Sequence, residues 1–222
     1  EGYRCVLIQP LFLTPGEEFD QLKAQAAPFS ADGFSLAVGA PLLDTPEDCT
    51  ALSRALLNSL EPPRPDEALV LMGHGSLHHS NGEFLRMEQA LRTEGRPDAF
   101  VGVMRGEPGL DRVLAAVHRR PHVRAVQLHP LLITAGMHAR RDLAGPGDAS
   151  WRTHLEAAGY PVRCTLRGLG EYPAVRRLFV HHALAAGARA HFPCAVSGGG
   201  DTRAPDGAEA PLSFPNREAP LL

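Results

Sequence analysis

The sequence predicts an α/β fold of two similar half-domains, each a parallel sheet flanked by helices, with the N-terminal part of the first half missing from this chain. Three observations predict it. Short apolar runs alternate with amphipathic stretches along most of the 222 residues, as when strands feed crossover helices. One strand motif occurs twice. Two β-α units precede its second copy, and nothing comparable precedes its first, since the chain begins at Glu1 rather than Met.

The elements follow in order. Residues 4–13 (RCVLIQPLFL) read as a strand buried on both faces, closed off by Pro15 and Gly16. A helix follows over 17–27, with acidic residues in its first turn where the helix dipole favours them. Residues 34–43 read as a second strand, and a helix through about Leu60 opens at Asp44 or Thr45 with Pro46 near its first position. Pro62, Pro63 and Pro65 break the chain there.

Beyond them, 68–72 is a buried strand running into a Gly73-His74-Gly75-Ser76 turn. Helices are expected over 82–94, 110–119 and 150–158, and strands over 100–104, 124–134 and 162–166. A long amphipathic helix over 172–190 carries Val175, Leu178 and Phe179 inward. From about Val196 the composition turns Gly/Pro/Asp/Ala-rich without period. The expected organisation is therefore 1–63, the remainder of the first half-domain; 64–192, the second half-domain with its closing helix; and 193–222, a disordered tail.

Composition excludes several classes. Apolar residues make up 44% and charged ones 21%, as in a globular enzyme, and no apolar run approaches the length of a membrane-spanning helix. A net charge of −3 and a pI near 6.4 lack the basic footprint of a nucleic-acid binder. Cys5, Cys49, Cys164 and Cys194 form no C-x-x-C pair, which argues against a zinc knuckle or a disulfide framework, and buried unpaired thiols are expected. The eleven histidines are the anomaly.

The repeat organises them. RCVLIQPLFLTPG at 4–16 lies over RAVQLHPLLITAG at 124–136 without a gap, with Arg, Val, Pro, Leu, Thr and Gly recurring in register. Continued two residues, the register matches Glu18 with His138, so that a carboxylate and an imidazole would face each other across a cleft between halves. In parallel sheets ligands bind at the carboxyl ends of strands. His74 is such a residue, and its flanking glycines leave room for a ligand. His138 is another, at a helix start that suits a metal-ligating imidazole, with Arg140 and Arg141 one step on to hold carboxylates. His181 and His182, mid-helix, read as structural or surface residues. Ser76 lacks the G-x-S-x-G spacing of a nucleophile elbow, and no phosphate-binding glycine loop occurs.

Together IQPLFLTPGEEF, VLMGHGSLHHSN, VGVMRGEPGLDRVL, LHPLLITAGMHARRDLAG, SWRTHLEAAGYPV and LRGLGEYPAVRRLFVHH resemble the anaerobic sirohydrochlorin cobaltochelatases, class II tetrapyrrole chelatases of cobalamin biosynthesis. The resemblance implies two α/β halves with the tetrapyrrole in the cleft, a cytoplasmic enzyme, no cofactor beyond the substrate Co2+, and an upstream segment that this chain lacks. Its partners would be a small-molecule tetrapyrrole and a divalent metal, neither nucleic acid nor membrane; homo-oligomerisation stays open. It implies His74 as metal ligand and general base, His138 as second metal ligand and Glu18 as an active-site acid. The family's third ligand is a glutamate in a V-E-x-x-P turn, where this chain has Arg105; Glu107, two residues on, substitutes only if the turn is re-aimed. Pro15, Met137 and Arg141 also depart from the family's residues.

The chemistry accords with these residue types. Imidazole suits a borderline transition metal, neutral histidine accepts protons near neutral pH, and the metal must bind weakly enough to leave. Arg140, Arg141 and Arg105, with His78 and His79, are the expected partners of sirohydrochlorin and its many carboxylates. Two rival readings keep the fold: a chelatase for Fe2+ or Ni2+, and a tetrapyrrole or haem carrier without turnover, the latter favoured by the carboxylate lost at Arg105.

Overall fold

Two parallel sheets carry the architecture. The computed structural model describes residues 4–30, 34–77 and 81–192; His78, His79, Cys194 and the tail expected at 193–222 lie outside the described residues. The smaller sheet pairs β1 (Cys5–Ile8) with β2 (Ser35–Val38) in parallel, joined by α1 (Glu17–Ala26). The larger has the order β4-β3-β5-β6, all parallel. Its strands are β3 (Glu67–Gly75), β4 (Ala99–Arg105), β5 (Ala125–Pro130) and β6 (Val162–Cys164). The helices are α2 (Pro46–Leu57), α3 (Gly82–Thr93), α4 (Leu110–His118), α5 (Trp151–Ala157) and α6 (Pro173–Arg189).

The larger sheet is covered on both faces, which explains the unbroken apolar run of β3. Successive side chains of a strand point to opposite faces. Leu69 and Leu71 accordingly pack with Leu52 and Leu56 of α2, Phe84 and Met87 of α3, and Val175 and Leu178 of α6. Ala68, Val70 and Met72 pack with Val113 and Val117 of α4 and with Trp151 and Leu155 of α5. Helix α2 begins where its chemistry dictates. Thr45 Oγ1 accepts the Asp48 amide at 3.2 Å while Asp48 accepts the Thr45 amide at 2.9 Å, and Pro46 takes the first turn.

The strands stop earlier than their apolar runs. Pairing in β1 ends at Ile8 and in β5 at Pro130, although both runs continue apolar for several residues. Each surplus segment instead forms an irregular crossing that hydrogen-bonds the loop leading to the next helix. The Leu42 and Leu43 amides donate to the Phe12 and Leu13 carbonyls, and the Leu169 and Gly170 amides to Leu132 and Ile133. The repeat thus extends well beyond its thirteen matched residues, to a proline that opens α2 in one copy (Pro46) and α6 in the other (Pro173). Gln9 and His129, paired in the register, each hydrogen-bond the carbonyl of the following proline, at 3.0 and 2.8 Å. One difference separates the copies. β5 is flanked by β6 and β3, whereas β1 pairs only with β2 among the described residues.

Candidate functional site

The switch in strand order places the site. The chain passes from β3 to β4 on one side and later from β5 to β6 on the other, so β3 and β5 are neighbours whose following helices cover opposite faces. The crevice outside the carboxyl ends of such a pair is where open α/β sheets bind ligands. His74 ends β3 and His138 follows β5. Their rings lie 5.2 Å apart between centroids, nearly perpendicular at 70°.

Each imidazole is held by Nδ1. That of His74 meets the Gly75 carbonyl at 3.0 Å, and that of His138 meets Asp142 Oδ2 at 2.7 Å. A carbonyl and a carboxylate only accept, so both Nδ1 atoms carry the proton. In the neutral ring the lone pair of each then lies on Nε2. Two such imidazoles in van der Waals range, one exposed and one half-buried, can share a cation or take up protons.

The glycines beside His74 serve the protein's own packing. The expected Gly-His-Gly turn is the end of the strand itself, with Gly73 paired to Val103 and Gly75 to Arg105. A Cβ on Gly73 would come within 2.2 Å of the Phe84 ring. Gly75 has φ +73°, and a Cβ there would lie 2.3 Å from the Arg105 carbonyl oxygen.

Asp142 and Asn81 were missed in the sequence reading. Arg141 grips Asp142 through Nε at 2.7 Å and Nη2 at 3.1 Å. The Arg141 guanidinium, and after it His138, hold the Asp142 carboxyl below the usual carboxylate range against opposing burial. The signal for this pair was the i, i+4 spacing of His138 and Asp142, carried here by a π turn over Ala139–Leu143. Asn81 is buried and ties two loops together. Its Oδ1 accepts the Ser76 amide at 2.9 Å, and its Nδ2 donates to the carbonyls of Ser76, Arg105 and Glu107 at 3.2, 3.2 and 2.9 Å.

Several expected residues stand elsewhere. The Glu107 carboxylate accepts the Gly109 amide at 2.8 Å, at the start of α4. Among the described residues no three His, Cys, Asp or Glu side chains converge as a metal site, so the set His74, His138 and Glu107 is not assembled. Arg105 continues the face of Val101 and Val103, while His74 continues that of Val70 and Met72, so the pleat sends the two side chains to opposite faces. Arg141, expected on substrate, is engaged by Asp142. Arg140 is exposed and without a side-chain partner among the described residues; with Met137, Arg141 and Asp142 it lines a cavity of about 550 Å³. Glu18 is exposed in the first turn of α1 and bonds neither histidine. Its correspondence with His138 persists in the backbone, since the Asp20 amide donates to Gly16 and the Arg140 amide to Gly136.

Two other histidines are buried in the fold. His129 is fully buried, accepts the Tyr172 hydroxyl on Nε2 at 2.7 Å, and is pushed down to about 4 by burial. His182 is buried against Asp48 at 3.1 Å and the Ala40 carbonyl at 3.2 Å. Cys5, Cys49 and Cys164 are free thiols; only Cys49 is fully buried, and burial pushes it up to about 11. No helix among the described residues is long and apolar enough to cross a membrane.

The family described as cobalt chelatase (CbiK) matches residues 1–187. A sirohydrochlorin cobaltochelatase of Salmonella typhimurium is 34% identical over 182 residues, 82% of this chain and 68% of that protein. The sirohydrochlorin cobaltochelatase CbiKC of Nitratidesulfovibrio vulgaris is 37% identical over 189 residues, 84% of this chain and 66% of that one. The chain spans about two thirds of the length of these relatives. Among solved structures, SirB from Bacillus subtilis with Fe3+ shares the fold at a TM-score of 0.59 and 16% identity, covering 86% of this chain and 75% of that one.

Proposed function

The chain belongs to the cobalt chelatase (CbiK) family, and we propose that it inserts Co2+ into sirohydrochlorin, the substrate named for both curated relatives. The observation that supports this reading is the pair of imidazoles 5.2 Å apart, each with Nδ1 occupied and Nε2 spare, at the crevice between β3 and β5. Insertion exchanges two pyrrole N–H protons for one Co2+, so the site must deliver a cation and remove two protons. Neutral imidazoles do both, and two nitrogen ligands hold a first-row divalent ion without caging it.

In this reading His74 and His138 capture Co2+ and His74 takes the first pyrrole proton. Glu18, at the position related to His138 by the repeat, receives the second. Arg140 pairs with a substrate carboxylate, since its guanidinium is unspent and lines the cavity beside Asp142.

The test is direct. Purified protein, sirohydrochlorin and CoCl2 are mixed and the tetrapyrrole absorption is followed; metallation faster than in the protein-free control is expected, and an equal rate overturns the proposal. A second reading, a tetrapyrrole carrier, is favoured by the Glu107 carboxylate, which bonds Gly109 instead of joining the histidines. Tight binding of sirohydrochlorin without turnover in the same assay would select it.

A further inference from the structure

We propose that Asp142 is the positioning residue of His138, holding the ring by its Nδ1–H so that Nε2 is presented to the cation, with Arg141 as the clamp on the carboxylate. The inference rests on the Co2+-handling reading above. It starts from an asymmetry between the two histidines. His74 is held by a neutral backbone carbonyl, that of its own neighbour Gly75. His138 is held by a carboxylate four residues on, and that carboxylate is fixed through both oxygens by Arg141.

The arrangement contributes little to the fold. The His138 and Asp142 side chains are 41% and 26% exposed and Arg141 is 65% exposed, so these pairs sit in high dielectric, where ion pairs stabilise weakly. Among the described residues Asp142 bonds only His138 and Arg141, and the buried residues of this turn are Ala139 and Leu143, which face the core. What the three side chains do achieve is orientation. With Nδ1 bonded to Asp142, the neutral ring carries its lone pair on the opposite nitrogen, and the ring cannot flip without losing a charge-assisted hydrogen bond. A carboxylate on the far nitrogen also strengthens an imidazole as a donor to a metal. His138 is thereby the firmer ligand of the pair, and His74, held by a neutral acceptor, is the one free to exchange the cation for a proton.

The test reads orientation and metal capture separately, without tetrapyrrole. The 15N shifts of the imidazoles report the tautomer, the His138 signals being identified by their loss in His138→Ala. Cobalt absorption bands give Co2+ affinity at a fixed pH. The parent should show His138 protonated at Nδ1. Asp142→Ala should lose that tautomer and weaken Co2+ binding roughly 10- to 100-fold, the usual effect of removing such an outer partner. Asp142→Asn keeps an acceptor without the charge, so it should keep the tautomer and weaken binding by less than about tenfold. An alanine variant with the parent's tautomer and affinity overturns the proposal. Should that variant misfold by circular dichroism, an Asp142→Asn protein whose affinity equals the parent's overturns it instead. A parent that shows the tautomer and binds Co2+ yet metallates no sirohydrochlorin defeats the proposed function while leaving the positioning role standing.

Discussion

In the proposed reading two side chains carry most of the chemistry, and their roles separate by experiment. If His74 is both ligand and base as proposed, His74→Ala removes the two together, and turnover should fall by about a hundred- to ten-thousand-fold at saturating Co2+. His138→Ala should chiefly raise the Co2+ concentration needed for half-maximal rate. Arg140→Ala should raise the half-saturating sirohydrochlorin concentration by roughly 10- to 100-fold, the weight of one charged hydrogen bond, and leave the maximal rate nearly intact. Arg105 is the residue where register corrects motif alignment. In the family resemblance it stands at the position of a metal-binding glutamate. Its pairing with Gly75 puts it on the other face from His74, so Arg105→Glu should change Co2+ affinity by less than about threefold, where a charge inside the site would be worth several kcal/mol. Cobalt titration of that variant distinguishes the two cases.

At the scale of elements, the site depends on two loops joined by one amide. Asn81 bonds the loop after β3 to the loop after β4, and both flank His74. Asn81→Ala strips hydrogen bonds from the Ser76 amide and three carbonyls, and should cost about 3 kcal/mol in urea denaturation. The metal affinity should fall along with it, because His74 leans on the Gly75 carbonyl within the same segment. Helix starts were readable from sequence, since Thr45, Pro46 and Ser150 carry their capping chemistry locally. Strand ends were not. Leu13, Leu131 and Ile133 are apolar because the crossings they belong to pack on the core, a property a strand shares.

For the whole molecule, two buried histidines set opposing pH limits. His129 is neutral in the fold down to about 4, whereas in the unfolded chain it takes up a proton near 6.5. Stability should therefore decline as pH falls from 6.5 toward 4, by about 3 kcal/mol in total. For His182, burial disfavours the charge, but the Asp48 hydrogen bond and charge, the Ala40 carbonyl and Asp44 outweigh it and raise its pKa. Its stabilisation is complete below the unfolded value and is lost as pH rises through the raised folded value. Urea midpoints against pH should show both limbs. His129→Gln should flatten the acid one, since Gln9 makes the equivalent proline contact in the other copy, and His182→Gln should flatten the alkaline one.

The sequence by itself determined the α/β class, the two histidines and the repeat that relates Glu18 to His138, because these depend on periodicity, turn chemistry and motifs that act over a few residues. The tertiary structure decided what lies between those signals. Pairing β3 with β5 brings His74 and His138, sixty-four positions apart, to 5.2 Å. The pleat turns Arg105 away from His74, and the Gly109 amide claims Glu107. A π turn presents Asp142 to His138 and engages Arg141 on the same carboxylate. Each of these is a contest for a hydrogen bond or a face between groups brought together by sheet register. Their outcome depends on distances that composition and spacing do not contain.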